Sequence, residues 1–455
     1  MMPSMRSLMW ATGLAALALP TAAAQDLVPK AGPQRDPVLI RDATVHTVSN
    51  GTLENASIEF IDGVITRVLT SEQGGRQLEI ASGTMVIDGA DFHVYPGFVA
   101  ANTSLGLIEV DAVDMTLDLR EAGSLKPEVR AVVAINPDST LFPVARRNGV
   151  LVCASLPQGG LVSGRAAILR LDGWTWQDMS IVEDAGMVVS WPGGGRGRFR
   201  RRGGGGSSSP DRSMRILDGL IQQSKAYAAA READPELPTD LRLEAMRPYV
   251  AGKKPLLVSA NSLRQIEAAV QWCVERGLKL TILGGRDAAL CCDLLIEHDV
   301  PVIVGGSHRL PPRRDLGVDH VYTAPGRLEQ AGVRWCMSNP GEASNARNLV
   351  YEAAACVAYG LDPDVALRSI TQSAADCLGI GERYGSLEVG KSATLFVTDG
   401  DAFELSTRFL AGFIDGRKVA MVDKQTALDE KYREKYRQLG ILPQGGTKEG
   451  APEEK

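Results

Sequence analysis

The sequence predicts an α/β protein in which a TIM-like (β/α)8 barrel is joined to a small β-sandwich formed by both ends of the chain. Three observations predict this fold. Short apolar or alternating stretches fill residues 38–94, short buried strands alternate with amphipathic helices after Tyr95-Pro96-Gly97, and strand character returns near the end of the chain. The predicted barrel covers residues 98–380, and the predicted sandwich combines residues 36–97 with residues 381–424.

The first residues predict an exported protein. Arg6 gives a basic start, residues 8–19 form an apolar run, and Ala22-Ala23-Ala24 provides small residues for cleavage. The run is shorter than the roughly 20 residues that cross a bilayer as a helix. We therefore expect residues 1–24 to be a signal peptide cleaved near Ala24, a periplasmic or secreted mature protein, and no transmembrane segment.

Turn pairs divide the sandwich region into strands. Asn50-Gly51, Asp62-Gly63 and Asp88-Gly89 are typical of tight turns, and they separate the predicted strands 38–40, 57–60, 64–68 and 84–87. Near the end of the chain, residues 387–397 and 413–422 also have strand character, with a hairpin turn at Asp415-Gly416. These two stretches are too few to fold alone, so we expect them to complete the N-terminal sheet.

Eight short apolar stretches supply the number of strands that a closed barrel needs. They are residues 98–102, 150–155, 166–171, 186–191, 255–260, 278–283, 300–304 and 333–337. Two alternatives remain open, because residues 166–171 also suit a hairpin outside the barrel and residues 319–322 also suit a barrel strand. Apolar stripes at helical spacing predict helices around Leu217 and around Ile266.

Two segments have low-complexity composition. Residues 193–209 carry five arginines among glycines and serines, which predicts a flexible loop, with an anion-binding arm as the alternative. A charged helix is expected at residues 427–439, and residues 440–455 are expected to be a disordered tail.

Charge and cysteine usage exclude some classes of protein. The net charge of −6 provides no overall positive field for nucleic acid. The seven cysteines nearly all fall within apolar strand or helix patterns, where cysteine behaves as a small hydrophobic residue, so we predict no disulfide framework. One opportunistic disulfide remains open, because the compartment is oxidising.

Four ordered segments resemble the amidohydrolase superfamily, most closely its imidazolonepropionase-like and dihydroorotase-like members. Residues 95–106 (YPGFVAANTSLG) are similar to the first barrel strand of that family, and residues 345–360, 366–379 and 385–397 are similar to its closing segments. The resemblance implies the barrel and sandwich described above. It also implies hydrolysis of C–N bonds in amides or cyclic amides by one or two divalent metals held at the carboxyl ends of the barrel strands.

The same resemblance implies that the metal-ligand positions are substituted. The two histidines of the first strand are replaced by Asn102 and Ser104, and Thr394 stands where the closing signature has aspartate. The remaining ligand positions fall at neutral residues, which are Ser259, Gly284 and Asn339. Neutral oxygens are poor zinc ligands. We therefore predict a neutral pocket and no cofactor.

Two hypotheses about function follow. The first is a binding or partner subunit that takes a small-molecule ligand and assembles as a homo-oligomer or with a catalytically complete amidohydrolase. The second is an active hydrolase of a cyclic amide or dipeptide, with metal-independent chemistry or with one divalent metal, such as zinc, relocated to His308 and His320. His308 follows the seventh predicted strand, on the face where such barrels carry their active sites, and His320 lies in the next connection.

Overall fold

A computed structural model describes residues 28–70, 72, 80–193 and 209–443. The predicted signal peptide, residues 194–208 of the arginine-rich segment and residues 444–455 of the predicted tail lie outside the described residues. None of the helices that the structure describes is long and apolar enough to cross a membrane.

The described residues form two sheets with helices packed around the second. The strands are β1 Val38–His46, β2 Thr52–Ile61, β3 Val64–Thr70, β4 Met85–Asp88, β5 His93–Pro96, β6 Phe98–Thr103, β7 Val150–Ser155, β8 Val162–Arg170, β9 Ser180–Ser190, β10 Pro255–Ala260, β11 Lys279–Gly284, β12 Val302–Val304, β13 Trp335–Met337, β14 Leu395–Thr398, β15 Phe409–Ile414 and β16 Arg417–Val419. The α-helices are α1 Leu141–Arg146, α2 Trp176–Met179, α3 Pro210–Ala233, α4 Leu241–Val250, α5 Leu263–Glu275, α6 Cys292–Glu297, α7 His320–Ala331, α8 Leu349–Val357, α9 Pro363–Ser369, α10 Gln372–Cys377 and α11 Lys424–Gln438.

The first sheet, which we call the terminal sheet, joins both ends of the chain as predicted. Its strand order is β16-β15-β14-β5-β1-β2-β3, with β4 also paired to β1. The sheet folds back on itself, because the Ile65 N–H donates to the Lys391 carbonyl at 2.9 Å and the Phe60 and Phe413 rings meet edge to face at 5.0 Å. The two ends of the chain therefore share one buried core.

The hairpin predicted at Asp415-Gly416 is confirmed. Ile414 pairs with Arg417 across it, and both turn residues have positive φ, 44° at Asp415 and 72° at Gly416. That combination is the two-residue turn whose twist matches a hairpin. The strand predicted over residues 387–397 is mostly wrong, because only Leu395–Thr398 is a strand and the preceding residues cross the edge of β3.

The second sheet is the barrel, in the order β13-β12-β11-β10-β9-β8-β7-β6. All eight predicted stretches supply its strands, although the observed strands extend a few residues beyond several of them. Neighbouring strands are parallel except for β8, which is antiparallel to both β7 and β9. Helix α10 contacts both edge strands, β13 and β6, and thereby nearly closes the barrel.

Of the two alternatives left open from the sequence, the first is right about the hairpin and wrong about its place, and the second is wrong. Residues 166–171 fall largely in β8, inside the barrel sheet, where only six residues separate β7 from β8. A connection this short returns the chain antiparallel, because a parallel crossover needs a dozen residues or more. Residues 319–322 are not a strand, because His320 begins α7, which ends at Gly332 in the left-handed conformation.

The interior of the barrel is filled by apolar side chains. Alternate residues of the strands form one buried cluster, including Val99, Ala101, Val152, Ala154, Ala166, Ile168, Leu257, Leu283 and Ile303. The other alternate residues pack outward against the helices. A filled interior leaves the carboxyl ends of the parallel strands as the place where side chains can meet a ligand. We call that end the barrel mouth.

A buried ion network joins the barrel to the terminal sheet. Asp172, just after β8, accepts hydrogen bonds from Arg146 at 3.1 Å and from Arg417 of β16 at 2.8 Å. The Arg146 and Asp172 side chains are almost completely buried, at 1% and 0% exposure. Each of the seven cysteines lies in the described ranges and is a free thiol.

Candidate functional site

The barrel mouth is formed around three adjacent strand ends, those of β10, β11 and β12, and the last two carry glycine pairs. The Gly285 N–H donates to the Ala260 carbonyl, and the Gly305 N–H donates to the Gly284 carbonyl, both at 3.0 Å. These hydrogen bonds continue the β10-β11-β12 ladder one step past the strands. The segments that follow, 261–262, 285–287 and 305–309, therefore lie side by side at the mouth.

Gly284 occupies a position that leaves no room for a side chain. Its φ is +93°, in the left-handed region that L-residues rarely adopt. A Cβ atom built on Gly284 would lie 2.5 Å from the Asn261 Oδ1 atom and 3.1 Å from the Asn261 Cγ atom. A histidine at this position would therefore require both the backbone and Asn261 to move.

Ser259, Asn102 and Ser104 lie at strand ends on the same face of the barrel. Ser259 is exposed, and it alternates in phase with Leu257, which belongs to the interior cluster, so its hydroxyl is directed to the open end of the barrel. Asn102 is the half-buried second-to-last residue of β6, and Ser104 follows that strand and is buried. All three are neutral hydrogen-bonding groups.

The Asn339 side chain is hydrogen-bonded to the backbone of its own loop. Its Nδ2 atom donates to the Asn345 carbonyl at 2.9 Å, and its Oδ1 atom accepts from the Gly341 N–H at 3.4 Å. The neighbouring Ser338 hydroxyl donates to the Val304 carbonyl at 2.8 Å. These contacts fix the loop after β13, so the Asn339 amide serves the loop backbone.

His308 pairs with a buried glutamate that the sequence analysis did not single out. Glu352 of α8 accepts a hydrogen bond from the Ser307 hydroxyl at 3.0 Å and from the His308 N–H at 2.8 Å. Its other oxygen lies 3.6 Å from the His308 Nδ1 atom. Glu352 was missed because an isolated acidic residue in a helix gives no sequence signal; its burial at 5% exposure is the structural signal.

His320 lies apart from that pair. It is the first residue of α7, it is 4% exposed, and its Nε2 atom has no hydrogen-bond partner among the described residues. Within residues 28–70, 72, 80–193 and 209–443, no group of three or more histidine, cysteine or acidic side chains has an arrangement that could hold a metal ion.

Two arginines at the mouth were also missed by the sequence analysis. Arg286 follows Gly284-Gly285, and its Nε atom donates to Asn261 Oδ1 at 3.2 Å. Arg309 follows Gly305-Gly306 and folds over Gly305, whose Cβ position would lie 3.0 Å from the Arg309 Nη2 atom. Burial lowers the pKa of Arg309, the positive charge of Arg286 lowers it further, and Glu352 opposes both effects.

A third arginine of the mouth is already neutralised. Arg313 donates to Asp287 at 2.7 Å and also contacts Asp315 at 3.2 Å. Asp287 is 2% exposed and accepts the Leu263 N–H at 3.1 Å, at the start of α5. These contacts stabilise the loops that carry the other mouth residues.

Comparison with known proteins matches the second half of the barrel and the closing strands to a family model. The model of the amidohydrolase family covers residues 258–425, which run from β10 into the start of α11. The amidohydrolase tasK of Hapsidospora irregularis is 22% identical over 426 residues, 84% of this chain. The alignment spans 41% of that relative, so the chain corresponds to about two fifths of its length.

Two further similarities differ in extent. Imidazolonepropionase of Chromobacterium violaceum is 40% identical over only 76 residues, 16% of this chain and 18% of that protein. The crystal structure of an amidohydrolase from Thermotoga maritima superposes with a TM-score of 0.75 at 21% identity, covering 84% of this chain and 99% of that one. At that identity the likeness concerns the fold.

The family match, the barrel with its terminal sheet and the similarity along most of the chain agree with one another. The imidazolonepropionase likeness is confined to a short segment. Over residues 258–425 the chain matches the amidohydrolase family, and it has the fold of the amidohydrolase from Thermotoga maritima.

Proposed function

We propose that this chain is an exported, ligand-binding member of the amidohydrolase superfamily in which the barrel mouth no longer forms a metal-hydrolase centre. The observation that carries the proposal is the backbone at Gly284, where φ is +93° and a side chain would overlap Asn261. Glycine offers no side chain to a metal, and the positive φ of Gly284 disfavours any residue that would.

The donor atoms at the other ligand positions support the same proposal. Asn102, Ser104 and Ser259 offer neutral oxygens, which bind zinc poorly compared with imidazole, thiolate or carboxylate groups. The Asn339 amide is engaged by Asn345 and Gly341 of its own loop. These residues do not fit a divalent metal, and they do suit hydrogen bonds to an uncharged amide.

The partner role belongs to the same proposal. The chain corresponds to about two fifths of the length of the amidohydrolase tasK, so the activity and partners of that whole protein are not transferred to it. A subunit that binds a small amide without cleaving it would act in a homo-oligomer or beside a catalytically complete relative. The predicted signal peptide, near Ala24, would direct it to the periplasm or the medium.

A hydrolysis assay tests the proposal. The purified protein is incubated with cyclic amides and dipeptides, with added zinc or manganese and, in parallel, with a chelator. We expect no turnover above the uncatalysed rate under any of these conditions, because no group at the substituted positions activates water. Turnover that is stimulated by metal and lost with chelator would contradict the proposal.

A second candidate function rests on the His308–Glu352 pair. A histidine beside a buried carboxylate is the arrangement of a general base, and the 3.6 Å separation between Nδ1 and Oε1 lies just beyond hydrogen-bond distance. A metal-independent hydrolase using this pair would show chelator-resistant turnover that is lost in both His308→Ala and Glu352→Gln. His298→Ala is the matched control, because His298 follows α6 and precedes β12, whereas His308 follows β12.

A further inference from the structure

We propose that Arg286 and Arg309 form a site for the carboxylate of a small amide ligand at the barrel mouth. This inference rests on the proposed ligand-binding function and names the class of ligand. The site consists of the two guanidinium groups, with Asn261 and Ser259 beside them.

The backbone brings the two arginines to one place. Arg286 comes two residues after β11, and Arg309 comes five residues after β12, on neighbouring parallel strands. Gly284 and Gly305, at the two strand ends, are joined by a hydrogen bond of 3.0 Å. Arg286 contacts Asn261 on one side of this joint, and Arg309 folds over Gly305 on the other.

Both guanidinium groups lack an acidic partner within the described part of the chain. No carboxylate oxygen lies within 4.0 Å of either arginine among residues 28–70, 72, 80–193 and 209–443, whereas Arg313, in the same loop as Arg309, contacts two aspartates. Two like charges held together, one of them partly withdrawn from water, are stabilised by an anion. Arg313 shows that these loops provide acidic side chains to an arginine that stabilises the loops themselves.

The charge of the site favours a carboxylate over a phosphate. Arg286 and Arg309 contribute two positive charges, and Glu352, which acts on Arg309 electrostatically, contributes one negative charge. The remaining charge of +1 is neutralised by one carboxylate, while a phosphate dianion would leave the site negative. The planar guanidinium fork also matches the two oxygens of a carboxylate.

Neutral groups beside the arginines suit the rest of such a ligand. Ser259 is exposed at the end of β10, and Asn261 lies between that strand and Arg286. A hydroxyl and a carboxamide can donate to and accept from an amide without charge. A compound with one carboxylate and one amide, such as 5-oxoproline, therefore combines the two features that the site recognises.

Calorimetric titration of the full chain tests the proposal with four probes. 5-Oxoproline and acetate carry a carboxylate, 2-pyrrolidinone has the lactam ring without it, and inorganic phosphate is a dianion above neutral pH. We expect saturable binding of 5-oxoproline and weaker binding of acetate. We expect 2-pyrrolidinone and phosphate to bind at least tenfold more weakly than 5-oxoproline, since charged hydrogen bonds contribute about that factor or more.

Variants locate the binding. Arg286→Gln and Arg309→Gln should each weaken 5-oxoproline binding about tenfold or more, while Arg327→Gln, an exposed arginine of α7, should leave it unchanged. Far-ultraviolet circular dichroism and thermal melting establish that each variant is folded, and Arg309→Lys, which keeps the charge without the fork, should retain part of the affinity.

Several outcomes would overturn the carboxylate site. The first is that neither 5-oxoproline nor acetate binds saturably. The second is that Arg309→Gln binds 5-oxoproline as tightly as the unaltered protein does, and the third is that phosphate binds more tightly than 5-oxoproline. Metal content and turnover of 5-oxoproline are measured on the same protein preparation. Metal-dependent turnover would contradict the proposed function even if the arginines bind the carboxylate, and loss of binding without turnover would contradict only the site.

Discussion

Gly284 shows how a single backbone conformation limits the chemistry of the barrel mouth. The residue ends β11 with φ at +93°, and the neighbouring Asn261 carboxamide occupies the space that a side chain would need. Asn261 in turn accepts a hydrogen bond from Arg286 at 3.2 Å. Glycine at this position therefore allows the asparagine and the arginine to be placed as they are.

Replacing Gly284 tests that role. Gly284→Ala should destabilise the protein by about 1–3 kcal/mol, because alanine is strained at positive φ and its methyl group would overlap Asn261. Urea unfolding measures the change. Gly219→Ala is the matched control, because Gly219 lies within α3 with nothing near its Cβ position, and it should stabilise the protein slightly. Equal effects of the two substitutions would contradict the role assigned to Gly284.

His46 is a second residue whose surroundings determine its charge. Its ring stacks on Tyr95 with centroids 4.0 Å apart, and its Nε2 and Nδ1 atoms contact His93 and Thr52, each at 3.0 Å. Burial, together with the neighbouring His93, lowers the pKa of His46 to about 4 against the opposing effect of Asp401. The folded protein therefore holds this histidine neutral.

The sign of the resulting pH dependence follows from that lowered pKa. Between pH 6.5, the ordinary histidine value, and about pH 4, the unfolded chain binds a proton at His46 that the folded chain does not. Stability therefore falls as the pH falls through this window, by about 3 kcal/mol at most and by less where water reaches the ring.

Urea unfolding at several pH values measures this contribution. In His46→Phe, which keeps an aromatic ring without a titrating group, the loss of stability between pH 6.5 and pH 4 should be smaller. His298→Gln should keep the slope of the unaltered protein. An unchanged slope in His46→Phe would contradict the assignment to His46.

Helices and strands that are determined by a local pattern of apolar residues could be predicted, whereas features that depend on contacts between distant segments could not. The barrel strands and the helices around Leu217 and Ile266 were predicted because burial imposes a strict apolar period on them. The direction of β8 was not predicted, because it depends on the length of the connection before it and on pairing with β7 and β9. Residues 319–322 were considered as a strand because four residues are too few to show the period of the helix that begins at His320.

The joint between the barrel and the terminal sheet depends on Asp172. Asp172→Asn removes the charge that faces the buried Arg146 and the Arg417 side chain of β16. Because an uncompensated charge in the interior is costly, we expect a loss of about 3–5 kcal/mol in the free energy of unfolding.

An exposed ion pair provides the control for that substitution. Asp429→Asn removes the partner of Arg433 on α11, where both side chains are more than half exposed, and it should cost less than about 0.5 kcal/mol. Urea unfolding measures both variants. Similar losses in Asp172→Asn and Asp429→Asn would show that the buried network is not what joins the two parts.

At the scale of the whole molecule, the fold was predictable and the site was predictable only in part. The ends of the chain meet in the terminal sheet, and five predicted pocket positions lie at or just after the carboxyl ends of barrel strands. Which of these side chains remain available was not predictable: Asn339 turns into its own loop, while Ser259 is exposed. Arg286, Arg309 and Glu352 were missed because charged residues in loops and helices are ordinarily solvent-facing, and only tertiary packing distinguishes these three.

We propose that the barrel mouth binds its ligand without a divalent metal. The most direct test is the metal content of the full chain, measured by elemental mass spectrometry after purification from cells grown with added zinc and manganese. We expect far less than one ion per chain. One or two ions per chain, retained through dialysis and lost when His308 or Glu352 is replaced, would contradict it.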